Sequence, residues 1–317
     1  MYHISRKYKQ FWFFILKLTF VVGAGYYIYQ HTFENVDLQF MDFSKQLEGF
    51  LFQPIWYLPV VFLFSILNWL LEIRKWQVLV QSLRPISFLE SAKHSLSTHT
   101  LSLVTPFKAG EYAGKALYFS KSYRGRVLAL NLAGNLSQLI ITILLGTMGF
   151  VYFYTHFDLP LSFFKLRKLA YLFALFIGFF FIGNQFLKNK KFWFLHKMKA
   201  SFLALSSALK WRLLILSALR YLVFSHQFYF LLLVFQVQVS YDTALFLIFF
   251  MYFIATMLPA MSLFDFVIKG SVAIFLFTFV GADELKILTI SSLMWLLNFA
   301  LPAMIGSVLL LLPSKIE

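Results

Sequence analysis

The stretch TPFKAGEYAGK, residues 105–115, decides how the rest of this sequence is interpreted. Apolar sequence flanks it, yet it contains a helix-breaking proline, two glycines four positions apart, and a glutamate followed four residues later by a lysine. The same order of proline, acid and base returns in the second half of the chain at Pro259, Asp265 and Lys269. We therefore expect the protein to be organised around two broken, charged helical segments.

Composition places these segments in a membrane. Of the 317 residues, 60% are hydrophobic and 13% are charged, which leaves too little polar surface to cover a soluble globule. Apolar stretches cover nearly the whole length, so no room remains for a separate soluble catalytic domain. The sequence thus predicts an all-α, polytopic membrane helix bundle in which residues 1–317 form a single integral membrane domain.

The distribution of charge predicts how the bundle is oriented. The chain has 28 Lys and Arg against 13 Asp and Glu, and the basic residues lie in short loops between apolar spans. That pattern is typical of cytoplasmic loops in a multi-pass protein of the cytoplasmic membrane, and we predict no nucleic-acid partner. The apolar run over about 11–29 is interpreted as an uncleaved first span. Both termini are then predicted to be cytoplasmic.

Each broken segment is predicted to be a re-entrant hairpin. Basic residues flank the first, over about 95–119, on both sides, so it should enter and leave from the cytoplasm. The second, over about 243–280, has Asp242 before it and Asp283 after it, and should enter from outside. One hairpin from each side is what an inverted-topology repeat produces, with the substrate held between the repeats.

The charged pairs are the candidate substrate-binding groups. Glu111 with Lys115, and Asp265 with Lys269, are each four residues apart and would share a helix face. An unpaired charge at the bilayer centre costs roughly 2.5–3.5 kcal/mol on insertion scales, so a polar cavity is one explanation for four of them. The alternative is that each pair neutralises itself and fixes its hairpin to the bundle. The candidate cavity residues are Glu111, Lys115, Asp265, Lys269, Arg220 and Asn135.

The helix-break residues, Asn135 and Arg220 each have two possible roles. Thr105, Pro106, Gly110 and Pro259 are predicted to form the helix breaks, although the G-x-x-x-G spacing that starts at Gly110 also favours close helix packing. Asn135 belongs to a polar stripe that could line a cavity or join helices. Arg220 could bind phosphate or extend toward the membrane surface.

Signatures of enzymes are missing from the sequence. His94 and His99 are five residues apart and do not share a helix face, and there is no zinc-protease, serine-hydrolase or P-loop motif. Cysteine is absent, which excludes disulfides and thiolate metal sites. We therefore predict that the protein is not an enzyme and uses no cofactor or metal.

The first motif resembles a known family. Residues 105–111 with Lys115 are similar to the T-P-x-x-x-G-E segment of the flippase-like transmembrane domain of lysylphosphatidylglycerol synthases, which also occurs as a stand-alone form. The second segment departs from that family's P-G-G-x-G-x-x-E run, because no glycine separates Pro259 from Asp265. The synthase domain is missing. The resemblance therefore implies translocation of an amphipathic phospho- or glycolipid across the membrane, without lipid synthesis.

The expected partners are the lipid bilayer and a membrane lipid substrate. The alternative hypothesis is an accessory or structural subunit of a lipid- or glycolipid-modifying enzyme. Four charges inside apolar segments favour the transporter, because joining helices needs only small residues and neutral polar groups.

Overall fold

The computed structural model describes residues 26, 56–103, 105, 108–157, 205–258 and 265–311, and every regular element in these ranges is helical. Four predicted features lie outside the described residues: the first predicted span apart from Tyr26, the apolar run over about 169–187, which the sequence also predicts to be a span, Pro106 and Pro259. The helices are α1 (Tyr57–Val80), α2 (Phe88–Leu103), α3 (Ala109–Leu117), α4 (Arg124–His156), α5 (Ser207–Val234), α6 (Tyr241–Met257), α7 (Asp265–Thr278), α8 (Glu284–Trp295) and α9 (Leu301–Leu311).

Within the described ranges, four helical units are long and apolar enough to cross a membrane. They are α1 with 24 residues, α4 with 33, α5 with 28, and the continuous unit of 28 residues formed by α8, a π-helical turn and α9. A hydrocarbon core of about 30 Å requires roughly 20 helical residues. The prediction of an all-helical fold is confirmed for the part of the chain that the structure describes, and the length and composition of these four units agree with a membrane protein.

The helix around the first motif is interrupted, as helix α2 ends at Leu103 and helix α3 begins at Ala109. Thr105 joins the two ends: its hydroxyl donates to the Leu101 carbonyl at 2.8 Å and accepts from the Gly110 amide at 2.7 Å. A Cβ atom at Gly110 would overlap that same carbonyl. Helices α2 and α3 pack together closely enough to require glycine there, so Gly110 serves both the break and the packing.

The second predicted segment also consists of two helices. Helix α6 ends at Met257, helix α7 begins at Asp265, and the two pack against each other. Helix α6 also runs along α4, where a Cβ at Gly149 would overlap the carbonyl of Phe246. Two successive helices therefore replace the single long apolar run over 243–280 that the sequence contains.

Polar side chains lie between two apolar clusters of the bundle. One cluster includes Val61 of α1 and the second half of α5 with α6, α7 and α8, and the other includes Trp76 and Leu79 of α1 with parts of α3 and α4. Between them, α1 buries Ser65 and Asn68 on the same face. The candidate site lies in this polar layer.

One predicted span belongs to a longer helix. The sequence predicts the second span over about 55–71, with Glu72, Arg74 and Lys75 on its cytoplasmic side, and α1 continues through these charges to Val80. The helix accommodates them because Lys75 bonds Glu72 at 2.7 Å one turn away, while the Arg74 side chain is exposed. Charges in an apolar sequence can therefore lie within a helix when they have partners in the bundle.

Candidate functional site

Each of the four candidate membrane-crossing units carries a polar side chain at its centre. Their midpoints fall between residues 68 and 69, at 140, between 220 and 221, and between 297 and 298. Asn68, Gln138, Arg220 and Asn298 lie within about two residues of these points, and all four line the same cavity. Polar groups at the middle of a membrane bundle are costly and are typical of substrate or ion sites.

The cavity has a volume of about 210 Å³. Three basic residues line it: Arg220 from helix α5, Lys108 from the position directly before α3, and Lys269 from helix α7. Tyr252 and Phe299 supply aromatic surface to the cavity, and the Lys269 ammonium lies over both rings. Three basic side chains and no carboxylate are found among the described residues that line it, so the cavity is suited to an anionic group.

A chain of hydrogen bonds fixes the wall of the cavity. Arg220 Nε donates to Asn68 Oδ1 at 2.9 Å, and Asn68 Nδ2 donates to Asn298 Oδ1 at 2.7 Å. Asn298 Nδ2 donates to Gln227 Oε1 at 2.8 Å, and Gln227 Nε2 donates to Ser65 Oγ at 2.7 Å. Because every donor points the same way, the bonds polarise one another. The chain joins α1, α5 and the π-helical turn into one rigid wall.

Glu72 anchors the charged end of this chain. Its Oε2 lies 2.8 Å from Arg220 NH1 and 2.7 Å from Lys75 Nζ. The Lys75 side chain is only 3% exposed, whereas Arg220 is 23% exposed and faces the cavity. One carboxylate therefore holds two cations, and the guanidinium is positioned at the cavity.

The π-helical turn at Leu296–Ala300 exists where Pro302 removes a hydrogen-bond donor. In an α-helix the amide of residue 302 would donate to the carbonyl of Asn298, but proline has no amide hydrogen. That carbonyl instead accepts from Trp69 Nε1 at 3.1 Å, and the Leu301 amide donates five residues back to Leu296. The widened turn directs Asn298 into the polar layer, consistent with the occurrence of π-bulges at functional sites.

The second charged pair lies at the cavity. Lys269 Nζ is 2.5 Å from Asp265 Oδ2, and their side chains are 26% and 21% exposed. The ammonium also lies 4.8 Å from the centre of the Phe299 ring and 5.6 Å from that of Tyr252. Lys269 lines the cavity itself, whereas Asp265 contributes through its pairing with Lys269.

The first charged pair lies beside the cavity and does not line it. Lys115 Nζ bonds Glu111 at 2.9 Å and Asn131 at 2.8 Å, and stands 4.4 Å above the Trp76 ring. Its side chain is 3% exposed. Lys115 is therefore held on several sides by protein groups, an arrangement that joins α3 to α1 and α4.

Lys108 is the basic residue of the first motif that lines the cavity. It has a positive φ of 55° directly before α3, a conformation that non-glycine residues seldom adopt. Its side chain is exposed and makes no ion pair with a described residue. Strained backbone of this kind concentrates at binding sites.

Some polar groups of the cavity wall have no partner. Gln138 Oε1, Ser291 Oγ and Trp295 Nε1 are buried without a hydrogen bond to any described residue, and all three side chains line the cavity. An unsatisfied buried polar group costs about 1–3 kcal/mol. These atoms are enclosed in this arrangement, so a small rotation of each side chain would be needed to offer them to a ligand.

The structure thus brings together part of the predicted site. Arg220 and Lys269 line the cavity, with Asp265 bound to Lys269. Glu111 and Lys115 pair beside it, and Asn135 donates to the Tyr112 hydroxyl at 3.0 Å instead of reaching it. Lys108 and the wall residues Asn68 and Asn298 also line the cavity but were not among the residues predicted from the sequence. Asn68 and Asn298 could have been predicted from the sequence, because each is an asparagine near the middle of an apolar run.

No group of three or more His, Asp or Glu that could hold a metal ion is found among the described residues. In comparisons with known proteins, no family model matches the chain, and no curated protein matches it. The resemblance to the flippase-like domain consequently depends on the sequence motifs alone.

Proposed function

We propose that this protein is a membrane transporter that moves the anionic head group of an amphipathic lipid across the bilayer through the central cavity. The observation that carries the proposal is the meeting of polar residues from the midpoints of all four candidate spans around one cationic cavity. A bundle that needed only to hold its helices together could do so with small residues and neutral polar groups, without cations facing a void.

The size of the cavity favours a head group over a whole lipid. Its volume of about 210 Å³ exceeds the roughly 150 Å³ engineered apolar cavity that admits benzene, but lies below the 300 Å³ lower bound of pockets for drug-sized ligands. Acyl chains would therefore remain in the bilayer while the phosphate occupies the cavity. The exposed apolar surface of the spans, including Leu144 and Ile215, is compatible with lipid contact on the outside.

The two interrupted helix pairs support a transport architecture. We interpret α2 with α3, and α6 with α7, as re-entrant hairpins that enter from opposite sides of the cytoplasmic membrane and form an inverted repeat. Lys108 follows the first break and Lys269 lies one turn after the second, and both line the cavity. This relationship agrees with the resemblance to the flippase-like domain, which we retain as a proposal.

Translocation in vesicles tests the proposed function. The purified full chain is reconstituted with a fluorescent phospholipid, and the fraction protected from a membrane-impermeant quencher is followed with time. Arg220→Gln and Lys269→Gln should each slow translocation at least tenfold, because a charge-assisted bond to a phosphate contributes roughly 1.5–3 kcal/mol. Arg126→Gln, at an exposed position outside the cavity, is the matched control and should be neutral. Equal rates for vesicles with and without folded protein would reject transport and favour the accessory-subunit hypothesis.

The proposed orientation is tested by labelling, because the cysteine-free chain allows single cysteines to be introduced. Cysteines at Ser82 and Ser122, before and after the first broken pair, should react from the same side of the membrane. Cysteines at Gln238 and Ala282, around the second pair, should both react from the opposite side. Labelling of Ser82 and Ser122 positions from different sides would show that the first pair spans the membrane and would contradict the inverted repeat.

A further inference from the structure

The charges at the cavity do not balance. Three basic side chains line it, namely Lys108, Arg220 and Lys269. Lys269 is neutralised by Asp265, to which it is bound at 2.5 Å. The charge of Arg220 is only partly neutralised by Glu72, because the same carboxylate oxygen also pairs with Lys75. Lys108 makes no ion pair with a described residue; the nearby Glu111 interacts with it electrostatically but is itself paired with Lys115, so this pair does not change the balance.

The lining cations and the groups directly paired to them therefore comprise four basic and two acidic side chains, an excess of two positive charges. A cavity lined by an excess of one sign of charge attracts a ligand of the opposite charge. Phosphate groups differ in what they can supply. A phosphodiester carries one negative charge, whereas a phosphate on a single ester link carries about 1.5–2 at pH 7.

We infer that the cavity selects a lipid whose head group carries about two negative charges on terminal phosphate oxygens, a phosphomonoester or a diphosphate, over a phosphodiester lipid. This inference rests on the proposed function and names the substrate class of the same site. Lys108 is the selecting residue. Arg220 and Lys269 are held by carboxylates and attract any phosphate, while Lys108 supplies the charge that only the second anionic oxygen satisfies.

The position of Lys108 fits this role. Lys108 follows the break in the first motif and has a φ of 55°. Its exposed side chain lines the cavity together with Lys269, which follows the second break. Ser291 and Trp295 lie one helical turn apart on α8 and add two buried donors without a partner, which a rotation of each side chain would offer to a ligand. An indole N–H can only donate, so it requires an acceptor such as a phosphate oxygen. Terminal phosphate oxygens provide more acceptors than a diester does.

Two lipids that differ by one methyl group test the inference. The purified full chain in phosphatidylcholine nanodiscs is titrated at pH 8 with phosphatidic acid and with phosphatidylmethanol of the same acyl chains. Bound lipid is counted by native mass spectrometry. The wild-type protein should bind phosphatidic acid about tenfold more tightly, the effect of one charge-assisted bond. A polyprenyl monophosphate, as a third probe, distinguishes an isoprenoid from a glycerolipid source of the same head group.

Lys108→Gln should remove this preference, and Lys121→Gln, an exposed lysine in the turn before α4, should retain it. Equal thermal unfolding midpoints show that both variants fold. Equal binding of the two lipids by the wild-type protein, or an unchanged preference in Lys108→Gln, overturns the inference. In vesicles, equal translocation of both lipids would overturn the charge selection and leave transport standing, whereas binding with selection but no translocation would reject the proposed transport alone.

Discussion

The double use of Glu72 leads to a quantitative prediction for Glu72→Gln. Glutamine keeps the shape of the side chain but leaves Lys75, whose side chain is 3% exposed, without its counter-charge at 2.7 Å. Loss of one partner from a buried ion pair costs about 3–5 kcal/mol. Arg220 is affected less, because it remains bonded to Asn68 and is 23% exposed. The midpoint of thermal unfolding should therefore fall by roughly 6 °C or more.

The assay is thermal unfolding of the purified protein in detergent, followed by tryptophan fluorescence. Glu72→Gln combined with Lys75→Met should recover most of the loss, because a buried ion pair can be replaced by apolar groups of similar volume at little cost. Glu90→Gln is the control: Glu90 pairs with Arg84 where both side chains are about one-third exposed, and less than about 1 kcal/mol should be lost. A Glu72→Gln midpoint equal to that of the wild type, or no recovery in the double variant, would refute the buried-pair reasoning.

Two further substitutions have matched controls within the chain. Trp69→Phe should lower the free energy of unfolding by about 1 kcal/mol more than Trp295→Phe in the same unfolding assay, because only Trp69 donates to the Asn298 carbonyl; equal losses would contradict this account of the π-helical turn. Gly306→Ala should destabilise by about 1–3 kcal/mol, since its Cβ would overlap a carbonyl of α2, while Gly125→Ala, with open space, should be neutral or stabilising; an unaffected Gly306→Ala would show that α2 and α9 pack less closely.

Composition and the order of proline, acid and base were sufficient to predict a helical membrane protein and the interruption near Thr105. They also predicted that Glu111 and Lys115 share a helix face, since that relation depends only on local spacing. The partners of each charge were not predictable. Glu72 binds Arg220 on α5, which lies far away in sequence. The presence of a glutamate in the sequence does not indicate which other helix packs against it.

Helical spacing alone also selected the wrong residue of α4 as a cavity-lining candidate. Asn135 lies in the same polar stripe of α4 as Gln138, yet only Gln138 lines the cavity, because one turn along the helix the stripe meets Tyr112 instead. Pro302 is visible in the sequence as a helix breaker, but the outcome there is a π-helical turn within a continuous helix. The indole of Trp69 satisfies the carbonyl that the proline leaves free, so tertiary packing decides between a break and a turn.

Filling the cavity shows whether the lipid head group passes through it. Thr256 lines the cavity and Thr155 does not, although both are exposed and both donate their hydroxyl to the carbonyl four residues earlier. Lipid translocation is measured in vesicles that contain equal amounts of folded Thr256→Trp or Thr155→Trp protein. Thr256→Trp introduces an indole into about 210 Å³ and should abolish translocation, whereas Thr155→Trp should match the wild type. Undiminished translocation by Thr256→Trp would show that the lipid head group does not pass through this cavity.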